Sequence, residues 1–400
     1  MSSSPSSSSY SYTSPKFTCT SPVNIAVIKY WGKENEEEHI PLNSSLSATL
    51  NQDDLKTTTT VQASTEFTCD ELILNGKKED VQGSKRIQRV FRYIREAATA
   101  KWYTERPNKD QEIYVHIDST NNFPTAAGLA SSASGYCCLV YALGQLFEVK
   151  TDLSIIARLG SGSACRSLYG GFVAWEKGTD HETSKAVQVL DEFDEFSKQT
   201  NIVICVVSDR QKHTPSTSGM QQSVLTSEKL KVRAREIVPQ RMIEMEKALK
   251  NKDFNTFARL TMDDSDNMHD CCADTNPPIY YMNDTSKQIV QLVNDFNAFD
   301  DGNGTQNLKA AYTFDAGPNA VLFFPSKEIT NKFLAILHAF FPPSNQEQFF
   351  TKEPFVTEMK QYGELVESFK KATSVQVNPD GLRYLIHTTV GAGPKVVSKE

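Results

Sequence analysis

Four hundred residues exceed what one hydrophobic core of usual size organises, so two domains are expected. The chain is 39% hydrophobic and 23% charged, with 19 Gly and 17 Pro, which suits a soluble α/β or α+β protein and leaves no stretch apolar enough to span a membrane. A net charge of −7 excludes broad binding to nucleic acid or acidic membranes. Anionic ligands would need local donors such as helix-start N–H groups and a few fixed Lys and Arg.

Eight cysteines stand at 19, 69, 137, 138, 165, 205, 271 and 272, with no C-x-x-C and no spacing for a disulfide framework. They read as small apolar residues in a reducing compartment, so the cytosol is the expected location. The run His269-Asp270-Cys271-Cys272 lacks zinc spacing.

In chain order, residues 1–16 are serine-rich without an apolar core, and read as a disordered tail rather than a leader. Residues 17–198 form a first unit. It holds strands at Val23 to Tyr30, Leu46 to Leu50, Lys56 to Val61, Ile113 to Ile117 and Gly171 to Trp175, and helices at Lys85 to Lys101 and Gly135 to Phe147. A polar run from Asp191 to Thr200 sets the boundary, and residues 199–400 form the second unit. This opens with the buried strand Ile202 to Val207. It continues with a helical pattern over Glu228 to Leu249 that Pro239 should kink, and a helix over Ser286 to Phe296. Strands at Ala311 to Phe314 and Ala320 to Phe324, a helix over Thr330 to Phe340 and a last strand from Arg383 to Val390 follow. Asp300 to Asn307 and Pro342 to Glu353 read as loops.

Five segments carry candidate chemistry. The run from Asn121 to Gly135, rich in Ala, Ser and Gly, lies between a strand and a helix. It suits either a phosphate cradle at a helix start or a small-residue helix packed under a sheet. Gly160 to Ser167, followed by Gly170-Gly171, offers hydroxyls, free amides and the Arg166 guanidinium, a fork for carboxylate or phosphate, although its glycines also fit plain turns. Asn24 to Lys33 ends a strand with two lysines around Tyr30 and Trp31, which suit either a binding edge or solvated lysines beside core aromatics. Asp315 sits between two apolar strands, as a turn residue or as a general base near a lysine. Ser208 to Met220 reads as a polar loop able to close over a site, as many surface loops do.

These segments, in this order, resemble the GHMP kinase superfamily and, within it, the eukaryotic diphosphomevalonate decarboxylases. The similarity runs from Cys19 to Lys395 and includes Leu42 to Ser47 and Thr275 to Ser286. It implies a two-domain α+β fold, with an N-terminal domain like the second domain of ribosomal protein S5, a GHMP-type C-terminal domain, and an active site in the cleft between them. It implies ATP-dependent decarboxylation of 5-diphosphomevalonate to isopentenyl diphosphate, with Mg2+ and a homodimeric assembly.

Carried residue by residue, the resemblance makes Asp315 the base, Lys29 its partner that keeps it ionised, and Arg166, with Asn24, the holder of the carboxylate. Tyr30, Trp31, Gly32, Lys33, Arg86, Ser161, Gly162, Ser163, Ala164, Cys165, Ser216 and Thr217 would surround the substrate, the diphosphate above all. Asn122, Pro124, Ala126, Gly128, Leu129, Ala130, Ser131 and Ser132 would hold ATP, Ser132 being a candidate magnesium partner. Pro215 departs from the family pattern and would stiffen the closing loop. The rivals are a GHMP kinase that stops at phosphorylation and an inactive relative acting as a regulator. A serine hydrolase finds no G-x-S-x-G around Ser163.

Overall fold

The computed structural model of the chain describes residues 11–123, 131–208, 214–299, 307–345, 349–350 and 359–400. Its first strands are β1 (Phe17–Pro22), β2 (Asn24–Ile28), β3 (Lys33–Asn35), β4 (Ile40–Pro41), β5 (Ser45–Thr49), β6 (Lys56–Ser64), β7 (Glu71–Leu74) and β8 (Lys77–Lys78). They are followed by β9 (Tyr114–Asn121), β10 (Phe172–Glu176), β11 (Lys185–Leu190) and β12 (Asn201–Val206). The last are β13 (Ala311–Phe314), β14 (Ala320–Phe324), β15 (Tyr384–Thr389) and β16 (Lys395–Lys399).

Three sheets organise the molecule. A six-stranded sheet runs β16-β1-β6-β9-β7-β8, a four-stranded one β11-β10-β5-β2, and another four-stranded one β13-β14-β12-β15. In β6 the residues alternate in burial, with Thr57, Thr59, Val61 and Ala63 inward, as a sheet with one covered face requires. That cover comes from the helices Lys85–Glu96 and Ser131–Leu146. The first is capped by the Ser84 side chain and buries Ile87, Val90, Phe91 and Ile94, one stripe at helical spacing.

The two halves are not separate cores. Ile25, Leu46 and Phe172 of the second sheet pack in one cluster with Ile204, Phe257 and Phe323 of the C-terminal half. The C-terminal half has a further core of its own, where Phe296, Phe333 and Phe369 meet over its sheet.

Several expectations from sequence are revised. Tyr12 to Lys16 are not a disordered tail: Thr13 bridges Ser64, Ser14 N–H donates to the Ala63 carbonyl, and Tyr12 stacks on Trp102 at 5.0 Å. Segment 199–400 does not stay in its own unit, because β16 pairs antiparallel with β1 in the N-terminal sheet. Ser216 to Met220 are not loop but the start of a helix, Ser216–Thr226, whose half-buried Met220 and Val224 join the apolar cluster that contains Trp31. The expected kink is a π-helical turn, Arg233–Ile237, placed just ahead of Pro239, which has no N–H for the turn before it. The helix Phe254–Ala273 had no counterpart in the sequence reading.

Candidate active site

A cavity of about 520 Å³ opens where the second sheet meets the C-terminal half. The turn after β2 delivers Lys29, Tyr30 and Trp31, the start of β3 delivers Lys33, and Asn24 reaches the cavity from β2 itself. Arg86 comes from the Lys85–Glu96 helix, and Ser131 and Ser132 from the start of Ser131–Leu146. Ser161, Gly162, Ser163 and Arg166 come from the tight turn Gly162–Leu168 and its cap, and Ser216 and Thr217 from their helix N-terminus. Asp315 enters opposite, directly after β13.

The charged groups are placed by buried partners. Lys29 Nζ lies 2.6 Å from Asp315 Oδ1, with the lysine side chain 3% exposed and the aspartate 33%. Arg166 is 1% exposed and donates through Nε to Ser47 Oγ at 3.0 Å and through Nη1 to Ser45 Oγ at 2.5 Å. Ser45 and Ser47 lie two apart on β5, hence on one face. Burial works against that guanidinium and lowers its pKa, while the charge of Asp315 opposes the shift. Lys33 pairs with Glu36 at 2.6 Å, and Arg86 Nη2 donates to Thr217 Oγ1 at 3.2 Å, which joins the two sides of the cavity.

Tyr30 packs on Trp175 at 4.8 Å, and its hydroxyl is buried with no partner among the described residues, so burial drives its pKa up. Gly162 sits under the same indole, where a Cβ would come within 2.7 Å of the Trp175 ring.

Other expected site residues are placed differently. Gly32 does not line the cavity; it has φ +89° and lies against Leu42 and Val224, where a Cβ would clash at 2.7 and 2.8 Å. Ala164 and Cys165 are fully buried beneath the turn, and burial pushes the Cys165 thiol up to about 12. Trp31 spends its indole N–H on Ser223 at 3.0 Å, so it anchors the Ser216–Thr226 helix as well as forming a wall. Asn24 spends its amide nitrogen on the Ser163 carbonyl at 3.0 Å and on Ser167 Oγ at 2.7 Å, which fixes the turn and leaves no N–H for a ligand. Asn122 bonds Lys56 and Asp54 away from the cavity. Pro124, Ala126, Gly128, Leu129 and Ala130 lie outside the described residues.

The sequence reading missed part of the wall and most of its support. His39 and Met268 line the cavity, and burial, with Lys33 adding, pushes the His39 imidazole down to about 3. Asp264 and Arg233 lie behind Lys29, both fully buried. Burial opposes the Asp264 carboxylate, but Arg233 and the Lys29 N–H outweigh it and hold its pKa below the usual range. No local pattern marks these residues, since Asp264 stands among Asp263, Asp266 and Asp270 like a solvated helix face.

A second groove, about 210 Å³, adjoins Ser131 and Ser132 and is walled by Leu72, Leu74, Ile87 and Tyr136. An apolar slot beside a helix start, next to a chamber of fixed cations with one ion-paired carboxylate, defines an enzyme for phosphorylated substrates.

Relatives narrow the class. Residues 21–186 match the family model described as the diphosphomevalonate decarboxylase-like N-terminal domain, and residues 202–397 the mevalonate 5-diphosphate decarboxylase C-terminal domain. The diphosphomevalonate decarboxylase of Rattus norvegicus is 48% identical over 95% of this chain and 93% of its own, and that of Homo sapiens is 47% identical over the same shares. The solved mevalonate diphosphate decarboxylase of Trypanosoma brucei superposes with a TM-score of 0.84 at 37% identity, covering 96% of this chain and 98% of that one. A solved structure described as MDDEF in complex with MVAPP, AMPPCP and magnesium gives 0.71 at 29% identity, covering 97% and 100%. The chain belongs to the diphosphomevalonate decarboxylase family, with that family's two-domain α+β fold.

Proposed function

We propose that this chain transfers the terminal phosphoryl group of ATP to the tertiary hydroxyl of 5-diphosphomevalonate, and that the product then loses phosphate and CO2 to give isopentenyl diphosphate. The observation that carries the reading is the Lys29–Asp315 pair, 2.6 Å apart, in the same cavity as the buried, carboxylate-free Arg166. A β-hydroxy acid has no carbonyl to receive the electrons left by departing CO2, so its hydroxyl must first become a leaving group.

Asp315 takes the hydroxyl proton as the oxygen attacks the phosphoryl group, and Lys29 fixes its orientation. The C–O bond then breaks with its electrons on phosphate, and the C–C electrons form the new double bond. Arg166, held by Ser45 and Ser47, receives the carboxylate. Lys33, Arg86, Tyr30, Ser161, Ser163, Ser216 and Thr217 surround the position left for the diphosphate.

The second groove suits the base of ATP, with phosphates reaching Ser131 and Ser132. Among the described residues there is no group of three or more His, Cys, Asp or Glu able to hold a metal. Mg2+ would be carried mainly on phosphate oxygens, with the Ser132 hydroxyl, which lines the cavity, as a protein ligand. When bound, the ion would neutralise phosphate charge as it transfers. A cytosolic location belongs to the same proposal, supported by eight free cysteines, seven of them buried, and a homodimer belongs to it only as what the family resemblance implies.

Coupled measurement of ADP, phosphate and CO2 tests it. The wild type is expected to release CO2 and phosphate in equal amounts from 5-diphosphomevalonate and ATP. Asp315→Asn is expected to bind substrate and lose turnover by roughly three or more orders of magnitude. ADP without CO2, or near-normal turnover by the variant, would sink the reading.

A further inference from the structure

We propose that the helix Phe254–Ala273 is a positioning element for the reaction, in which the consecutive residues Asp264 and Ser265 hold Lys29 and Asp315 at bonding distance. The two reacting side chains follow strands of different sheets, β2 and β13, which share no ladder. The helix packs on both strands and bonds the backbone of Lys29 on one side and of the residue before Asp315 on the other.

On one side, Asp264 accepts the Lys29 N–H at 2.6 Å. Its carboxylate is itself held by Arg233 at 2.8 and 2.9 Å and by Arg241 at 3.0 Å. Arg233 closes the ring by donating to the Lys29 carbonyl at 3.0 Å. Both backbone polar groups of Lys29 are therefore tied to one buried cluster. On the other side, Ser265 Oγ accepts the Phe314 N–H at 3.0 Å, one residue ahead of Asp315. The His269 imidazole, one turn on, meets the Phe314 ring edge-on at 6.3 Å, and Asp266 accepts the Tyr312 hydroxyl at 2.8 Å.

Stability alone does not account for this choice of residues. A buried ion pair can often be replaced by apolar side chains of similar volume without loss. Apolar side chains would leave the Lys29 N–H without an acceptor and its carbonyl with the Asn43 amide alone, at 3.1 Å. The cluster thus trades cheap packing for direction, which suits a pair that must be set within fractions of an ångström.

The inference rests on the reading of Lys29 and Asp315 as the reacting pair, so the experiment separates the two. In Asp264→Asn, kcat is expected to fall about a hundredfold while KM for ATP and for diphosphomevalonate stays within about threefold. In a Lys29→Met background the same change should lower kcat by no more than about twofold, because its effect passes through Lys29. Full multiplication of the two losses, or a rise in KM at constant kcat, overturns the positioning role. If Asp264→Asn does not fold, Ser265→Ala decides, since it leaves the ion pair whole: kcat about tenfold lower at constant KM supports the proposal, and unchanged kcat overturns it. Near-normal turnover by both Lys29→Met and Asp315→Asn would instead refute the reacting pair itself.

Discussion

Arg233 and Arg166 are both withdrawn from water, at 0% and 1% exposure, and their charges are answered differently. Arg233 faces a carboxylate, Asp264, bonded at 2.8 and 2.9 Å. Arg166 faces two serine hydroxyls and an indole 5.9 Å away, none of them charged. A buried cation without a counter-ion is costly, and the cost is tolerated where a ligand supplies the missing charge. Arg233 therefore belongs to the framework and Arg166 to the substrate. The lesson is that burial of an arginine says little until its partners are counted.

The largest expected effect tests that division at Arg166. Arg166→Met removes a charge whose bonded partners are neutral hydroxyls, with Asp315 acting on it only at longer range. Turnover per KM should fall about a thousandfold, while stability holds or rises by about 1 kcal/mol. Assay of CO2 release beside a thermal melt checks both. A variant that loses activity because it unfolds would break the comparison.

Arg233→Met should differ in stability, beyond any loss of turnover that follows from freeing the Lys29 carbonyl. It strands Asp264 in the interior with the Lys29 N–H and the partly exposed Arg241 as its remaining partners. Denaturant unfolding is expected to show a loss of about 3 to 4 kcal/mol. Unchanged stability would mean that the ion pair is not what holds that joint.

Acid sharpens the contrast, because Asp264 titrates and the serine hydroxyls do not. With its folded pKa held below the ordinary carboxylate value, Asp264 contributes fully above about pH 3.9, and its contribution is lost as pH falls through the lowered value. His269 acts earlier. Burial, with the Lys29 charge adding, pushes its imidazole down to about 4. A folded pKa below the ordinary value of about 6.5 means the unfolded chain binds the proton first. Stability should therefore fall by roughly 3 kcal/mol as pH drops from about 6.5 to 4. His269→Gln, followed by unfolding at several pH values, should show a flatter profile in that window; an unchanged slope would remove His269 as its source.

How much of this could be read from the chain depended on distance along it. Lys29 and Asp315 at the ends of apolar strands, and Arg166 among small residues, were legible as candidates, and the resemblance of the ordered segments gave them their roles. Their supports gave no such signal. Asp264 is 235 residues from the backbone N–H it accepts, and Arg233 is 204 from the carbonyl it bonds. Ser47 fell in the strand read at Leu46 to Leu50 and Ser45 just before it, while the guanidinium that both hold, 121 residues from Ser45 and 119 from Ser47, left no local sign. Trp31 read as either a binding surface or a core aromatic, and its N–H is consumed by Ser223, from a helix whose first residues sequence took for loop. The missed return of β16 to β1 has the same cause, since strand pairing across nearly the whole chain leaves no local pattern.

The smallest effect asks whether the serines merely tolerate Arg166 or aim it. Ser45→Ala deletes the shorter of the two bonds, 2.5 Å, and keeps the charge and its burial. If the hydroxyl aims the guanidinium, kcat/KM should drop about tenfold, with stability lowered by only about 1 kcal/mol. Ser47→Ala, at 3.0 Å on Nε, should cost less in activity, because the fork still pivots on Ser45. Equal losses in stability and activity at both positions would instead make the serines ordinary packing partners. The contrast with Arg233 would then rest on charge alone and no longer on direction.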